Sequence, residues 1–246
     1  MSSLTERIKA AIEEIKTTSI NGCVTGSCML DADFDTWDTP PDVDVFVYGD
    51  LYMVDAVCQL RALGYEWGKD EERRSAEQEA TKYEWLLQGK RNKSESLLQT
   101  LKLHRDGVCV NVSCRRYQKT VSDVIANFDM TIIMKGYDIR LGALVDYTGC
   151  YSDPHVAILN PLRKQDTDMW TIAKWVRQYD RVIKYWNRGF DTRPACRSYV
   201  EMIDEFLERG ALWTSPQATE AYESFAAEFK EHKERMLLWL KDKEDC

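Results

Sequence analysis

Two aspartates one residue apart open the stretch with the most chemical potential, Pro-Asp-Val-Asp-Val-Phe-Val-Tyr beginning at Pro41. In an extended segment residues two apart share a face, so Asp42, Asp44, Phe46 and Tyr48 fall on one side and Val43, Val45 and Val47 on the other. The valines suit a core. The two carboxylates then stand about 6–7 Å apart along the backbone, close enough for their tips to converge on one cation. Paired acids repel unless something positive lies between them, and a divalent metal with a phosphate beyond it meets that need. Just upstream, Gly-Cys-Val-Thr-Gly-Ser-Cys-Met-Leu from Gly22 reads as a short apolar strand running into Gly26-Ser27. Glycine permits a sharp turn whose N–H groups, with the serine hydroxyl, can hold an anionic oxygen.

Regular elements must position these groups. Ser3 and Glu6 form a capping box, and Leu4, Ile8, Ala11, Ile12 and Ile15 recur at helical spacing, which predicts a first helix ending near Thr17. Strands are expected over 23–25 and 43–47, with an acid-rich, solvated loop over 31–41 that has room to fold over a ligand. Asp31, Asp33 and Asp35 alternate as in a calcium loop, but Thr36 stands where glycine is needed and Asp42 where a bidentate glutamate is needed, which argues against an EF-hand. Val54, Val57, Leu60 and Leu63 predict a helix lying on the sheet and stopped at Gly64. Residues 69–80 are almost wholly polar and read as an exposed helix or a mobile insertion; 83–87 fit a strand or a helix. Asp106-Gly107 between apolar runs at 100–104 and 108–113 predicts a hairpin. A short helix over 121–128 and a strand over 130–134 follow.

From about Gly149 onward the pattern turns helical. Asp166 caps a long helix carrying Trp170, Ala173, Val176, Tyr179, Ile183 and Trp186 and ending at Gly189. Pro194 opens a second helix that runs to Gly210, and Ser215-Pro216 starts a third. The fold class expected is α+β, a mixed sheet with flanking helices over residues 1–149 followed by a helical domain over 150–246, the two packed closely around a cleft.

A strand ending in Gly-Ser, followed by a strand with hydrophobic-Asp-x-Asp-hydrophobic, resembles the nucleotidyltransferase fold superfamily, which includes DNA polymerase beta, poly(A) polymerases, tRNA CCA-adding enzymes and aminoglycoside nucleotidyltransferases. The resemblance covers roughly residues 1–135, and Asn-Phe-Asp-Met-Thr from Asn127 further resembles uncharacterised viral or phage members. It implies Asp42 and Asp44 as catalytic metal ligands for Mg2+ or Mn2+, Gly26 and Ser27 as a phosphate cradle, and a nucleoside triphosphate, ATP among them, as donor. A full site of this kind needs a third carboxylate on a neighbouring strand, and there the chain carries Asn111. An amide oxygen can ligate a hard cation but cannot take a proton. Asp129 is the candidate to supply the missing charge; its alternative role is a turn residue. Arg177, Arg181, Lys184 and Arg188 recur about every four residues. They read as a charged face or, for Lys184 and Arg188 especially, as a basic wall toward the triphosphate.

Composition bounds the function. At 246 residues with 44% hydrophobic and 30% charged residues, the chain can bury a core as one large or two small domains. A net charge of −8 argues against coating long duplex DNA. It favours a small molecule, an RNA end or a protein side chain as acceptor. The basic clusters Lys90-Arg91-Asn92-Lys93, Arg115-Arg116 with Lys119, and Arg163-Lys164 read first as solvated surface. Eight cysteines without Cys-x-x-Cys pairs, beside three histidines, read as reduced thiols rather than a zinc site. With no signal-like or membrane-spanning run, the expectation is a cytoplasmic protein, in the host cytoplasm for a virus. Two functions follow: transfer of a nucleoside monophosphate to a hydroxyl-type acceptor with release of pyrophosphate, or a catalytically inactive nucleotide- or partner-binding module on the same fold.

Overall fold

The computed structural model describes residues 2–67, 97–115, 118–151, 153–160, 179–210 and 216–244. The polar stretch at 69–80, the ambiguous segment at 83–87, the basic clusters near Lys90 and Arg163, and Trp170, Ala173, Val176 and Arg177 lie outside them. The chain divides into a unit of residues 1–126 with 133–146 and a unit of residues 127–132 with 147–246.

The first unit is built on a seven-stranded mixed sheet. Its strands are β1 (Gly22–Thr25), β2 (Val43–Val47), β3 (Glu66–Trp67), β4 (Leu97–Arg105), β5 (Val108–Arg115), β6 (Lys135–Asp138) and β7 (Ala143–Asp146), in the order β3-β4-β5-β2-β1-β6-β7. β2 runs parallel to β5 and antiparallel to β1. These three form the middle of the sheet, and Val24, Val43, Val45, Val110 and Val112 are all fully buried there, as β-branched residues suit a pleated surface covered by helices. Helix α1 (Leu4–Lys16) has the expected capping box and buries Ile8, Ala11, Ile12 and Ile15. α2 (Met53–Ala62) ends before Gly64, whose φ of +88° suits glycine. Its buried face is Met53, Ala56, Val57 and Leu60, whereas Val54 is 47% exposed. Val57 and Leu60 are buried as expected, while Met53 and Ala56, rather than Val54, complete the stripe. In the hairpin, Asp106 and Gly107 both have positive φ, +53° and +76°, as a two-residue turn between right-twisted strands requires.

Two segments depart from expectation. α3 (Val121–Ile125) is shorter than predicted, and the apolar run from Met130 to Met134 is no strand: it holds a 3-10 turn (Thr131–Ile133), with Met130 in an isolated bridge to Leu159. All five of its side chains are buried, so the run marks an interior crossing. The strands β6 and β7 follow it instead, as an unanticipated hairpin at the sheet edge. Nor is the acid-rich loop freely solvated. Phe34 and Trp37 are buried edge to face at 4.9 Å, and the Asp35 carboxylate accepts from the backbone N–H of Leu4 (2.9 Å) and Thr5 (3.0 Å). A remote carboxylate thus helps satisfy the open N–H groups at the start of α1. Its pKa is held down at about 2, first by the Thr5 hydroxyl and then by the two amides.

The second unit contains α4 (Asp180–Trp186), α5 (Arg193–Gly210) and α6 (Pro216–Glu244). α5 and α6 pack together through Tyr199, Ile203, Phe206, Phe229 and Met236, all buried. The Phe206 and Phe229 rings meet edge to face at 4.8 Å. Gly189, after α4, has φ +89°, which suits a helix stop. No described helix is long and apolar enough to cross a membrane.

Candidate active site

The parallel register of β2 and β5 sets Asp44 directly beside Asn111, and Asp42 lies two residues earlier, on the same face by the period-two rule. The Asn111 side-chain amide uses this placement. Its Nδ2 donates to Asp42 Oδ2 at 2.8 Å and to Asp44 Oδ1 at 3.1 Å. One neutral donor thus sits between two half-buried carboxylates and draws them to a common point. Among the described residues no group of three or more His, Cys, Asp and Glu side chains is placed to hold a metal ion by itself. The donor set here is two carboxylates and an amide, all oxygen ligands of the kind a hard divalent cation takes.

Gly26 closes this point from β1. Its φ of +89° and ψ of −161° lie in a region that is essentially glycine's alone. A Cβ there would fall 2.5 Å from Asp44 Oδ2, so glycine is required both by its own backbone and by the approach of the carboxylate. The following 3-10 turn (Ser27–Met29) leaves Ser27 half-buried and Cys28 buried. The Cys28 thiol donates to the Thr25 carbonyl at 3.2 Å. Burial, and then the nearby Asp44 and Asp42 charges, push its pKa well above the usual thiol range, so it stays protonated at neutral pH. Sequence reasoning missed Cys28 as a neighbour of the pair; its place directly after Gly26-Ser27 was the available signal. Tyr48 keeps to the expected face of the aspartates: its hydroxyl donates at 2.8 Å to Asp138, which pairs with Cys23 opposite Phe46.

Asp129 has different surroundings. It belongs to the second unit, its side chain is 1% exposed, and Arg181 Nη1 donates to both its oxygens at 2.9 Å. Partial burial lowers the Arg181 pKa, but the Asp129 charge and hydrogen bond together with Tyr185 and Tyr199 outweigh it, and the net shift is upward. The guanidinium therefore balances this carboxylate, and Arg181 is committed to it rather than to a basic wall. In the same unit Lys184 is exposed, while Arg188 is half-buried with its guanidinium 5.5 Å from the Tyr185 ring centre. Burial lowers the Arg188 pKa.

No family model matches the sequence, and no curated protein matches it. Among solved structures, the chain is similar to the CCA-adding enzyme of Thermotoga maritima in complex with tRNA, with a TM-score of 0.45 and 13% identity over 94% of this chain. The match covers 55% of that enzyme, so the chain spans about half its length.

Proposed function

We propose that the chain is a nucleotidyltransferase that moves a nucleoside monophosphate from a nucleoside triphosphate to a hydroxyl-type acceptor, releasing pyrophosphate. The single observation that carries this reading is the convergence of Asp42 and Asp44 on the Asn111 amide beside the glycine turn at Gly26. Asp42, Asp44 and the Asn111 amide oxygen would hold a Mg2+ or Mn2+ ion, and the backbone N–H groups and hydroxyl at Gly26-Ser27 would take phosphate oxygens. Such a metal supplies charge stabilisation for the attacking and leaving oxygens and orients the triphosphate. Asp129 is assigned to a structural ion pair with Arg181 in this reading. The acceptor class is a small molecule, an RNA end or a protein side chain, in keeping with the net charge of −8.

A second reading, binding of nucleotide without turnover, draws on Asn111, which holds both carboxylates yet cannot accept a proton. One experiment separates the two. The full chain is incubated with each labelled nucleoside triphosphate, Mg2+ or Mn2+, and pools of small-molecule, RNA and protein acceptors. Pyrophosphate release that Asp44→Ala abolishes supports transfer; nucleotide binding without release from any pool supports the inactive module.

A further inference from the structure

We propose that the first unit carries a separate binding site, for a small monocarboxylate, in the hollow between α1 and the β4–β5 turn. The inference is independent of the proposed function. The hollow has a volume of about 430 Å³ and is lined by Arg7, Ala10, Ala11, Tyr65, Arg105 and Val108, with Ser2 and Asp106 at its edge. Val108 lies three residues before Asn111 on β5, so this wall and the aspartate pair are on opposite faces of the sheet. Two polar atoms in the wall have nothing to bond. Tyr65 is 1% exposed, its ring lies 4.4 Å from the Arg105 guanidinium, and its buried hydroxyl has no hydrogen-bond partner. The buried Nε of Arg7 has none either. Each has given up water with no protein partner in exchange, a cost that an acceptor oxygen would recover.

The two guanidinium groups decide what the acceptor is. Arg105 is spent: it donates to both Glu14 oxygens and to the Leu63 carbonyl, and the Asp106 carboxylate stands 3.7 Å from its Nε. Arg7 is not. Among the described residues its one hydrogen bond runs from Nη1 to the Asp106 carbonyl. A Cβ at Gly107 would fall 2.9 Å from that nitrogen, so glycine leaves the guanidinium its room on the turn. The Nε–Nη2 edge, which grips a carboxylate through two parallel hydrogen bonds, is left over. Tyr65 adds a further donor, since burial raises its pKa and keeps the proton on the hydroxyl. One unmatched cation calls for one negative charge, whereas a dianion would meet repulsion from Glu14 and Asp106. Ala10, Ala11 and Val108 give a short apolar body a surface to rest on. Arg7 is half-buried, and a swing of its long side chain opens Nε and the hydroxyl to the ligand.

The test titrates the isotope-labelled full chain with butyrate and follows backbone amide chemical shifts, with butyramide as the neutral match and inorganic phosphate at mildly alkaline pH as the dianion. The expected result is saturable shifts at Arg7, Ala11, Tyr65 and Val108 with butyrate, and affinity at least about tenfold weaker for butyramide and for phosphate. Arg7→Gln should weaken butyrate binding about tenfold or more. Tyr65→Phe, the second arm should Arg7→Gln not fold, should weaken it several-fold while leaving the melting temperature unchanged or raised, because it deletes a hydroxyl that had no partner. No saturable shift with butyrate, binding of butyramide or phosphate as tight as butyrate, or butyrate affinity unchanged in either folded variant overturns the site. A lowered melting temperature for Tyr65→Phe shows that the hydroxyl serves the fold and overturns its assignment to a ligand.

Discussion

Asp129 and the Asp42/Asp44 pair are all partly or wholly withdrawn from water, yet their charges are met by different means. Asp129 is almost completely buried and faces a guanidinium that donates to both of its oxygens. The pair on β2 is half-buried and shares one neutral amide. A guanidinium brings a full countercharge to Asp129, whereas the Asn111 amide orders two carboxylates by hydrogen bonding. The difference separates a carboxylate held in an ion pair from the two carboxylates to which the proposed function assigns a ligand. Sequence alone weighed Asp129 as a third member of the site, since an aspartate between a helix and an apolar run looks the same with or without an arginine partner fifty residues away.

Substitutions can break or sharpen this contrast. The largest effect is expected from Asp44→Ala, which should lower pyrophosphate release at least about a hundredfold while leaving the melting temperature unchanged or raised, because it removes repulsion. Arg181→Ala should do the reverse: a loss of stability of roughly 1–3 kcal/mol, tempered by the partial exposure of the guanidinium, from leaving Asp129 buried without its countercharge. Denaturant unfolding measures it. Gly26→Ala joins the two effects, since a Cβ would meet Asp44 Oδ2; strain of about 1–3 kcal/mol should accompany weakened nucleotide binding, measured by calorimetry.

The smallest effect concerns Asp35, a third kind of carboxylate, exposed and bonded to helix N–H groups. Its folded pKa of about 2 lies below the ordinary aspartate value of about 3.9. The stability it contributes is therefore complete above about pH 4 and is lost as pH falls through about 2. Asp35→Asn should lower the melting temperature slightly at pH 7 and flatten its fall between pH 4 and pH 2.

How far the sequence could be read follows the range of the forces involved. The capping box of α1, the Asp-Gly hairpin and the alternation of β2 are local signals, and each element formed where they pointed. The apolar run from Met130 to Met134 misled, because complete burial erases the periodicity that tells a strand from an irregular crossing. Asp35 and Phe34 were hidden in a loop whose acids suggested solvent; the carboxylate's partners lie some thirty residues away on α1, and the ring is buried against Trp37. At the candidate site, the spacing of Asp42 and Asp44 and the Gly26-Ser27 turn were legible. Asn111 was legible as the site's residue on the neighbouring strand, but its hydrogen bonds to both aspartates were not, since only strand pairing shows its register with Asp44.

The central claim is that the pair on β2, and not Asp129, is prepared for a cation. Calorimetric titration of Mn2+ with nucleoside triphosphate into wild type, Asp42→Asn/Asp44→Asn and Asp129→Asn, each first shown to be folded by circular dichroism, tests it most directly. The account predicts that binding is lost in the double variant and retained in Asp129→Asn; retention in the double variant, or loss in Asp129→Asn alone, would contradict it.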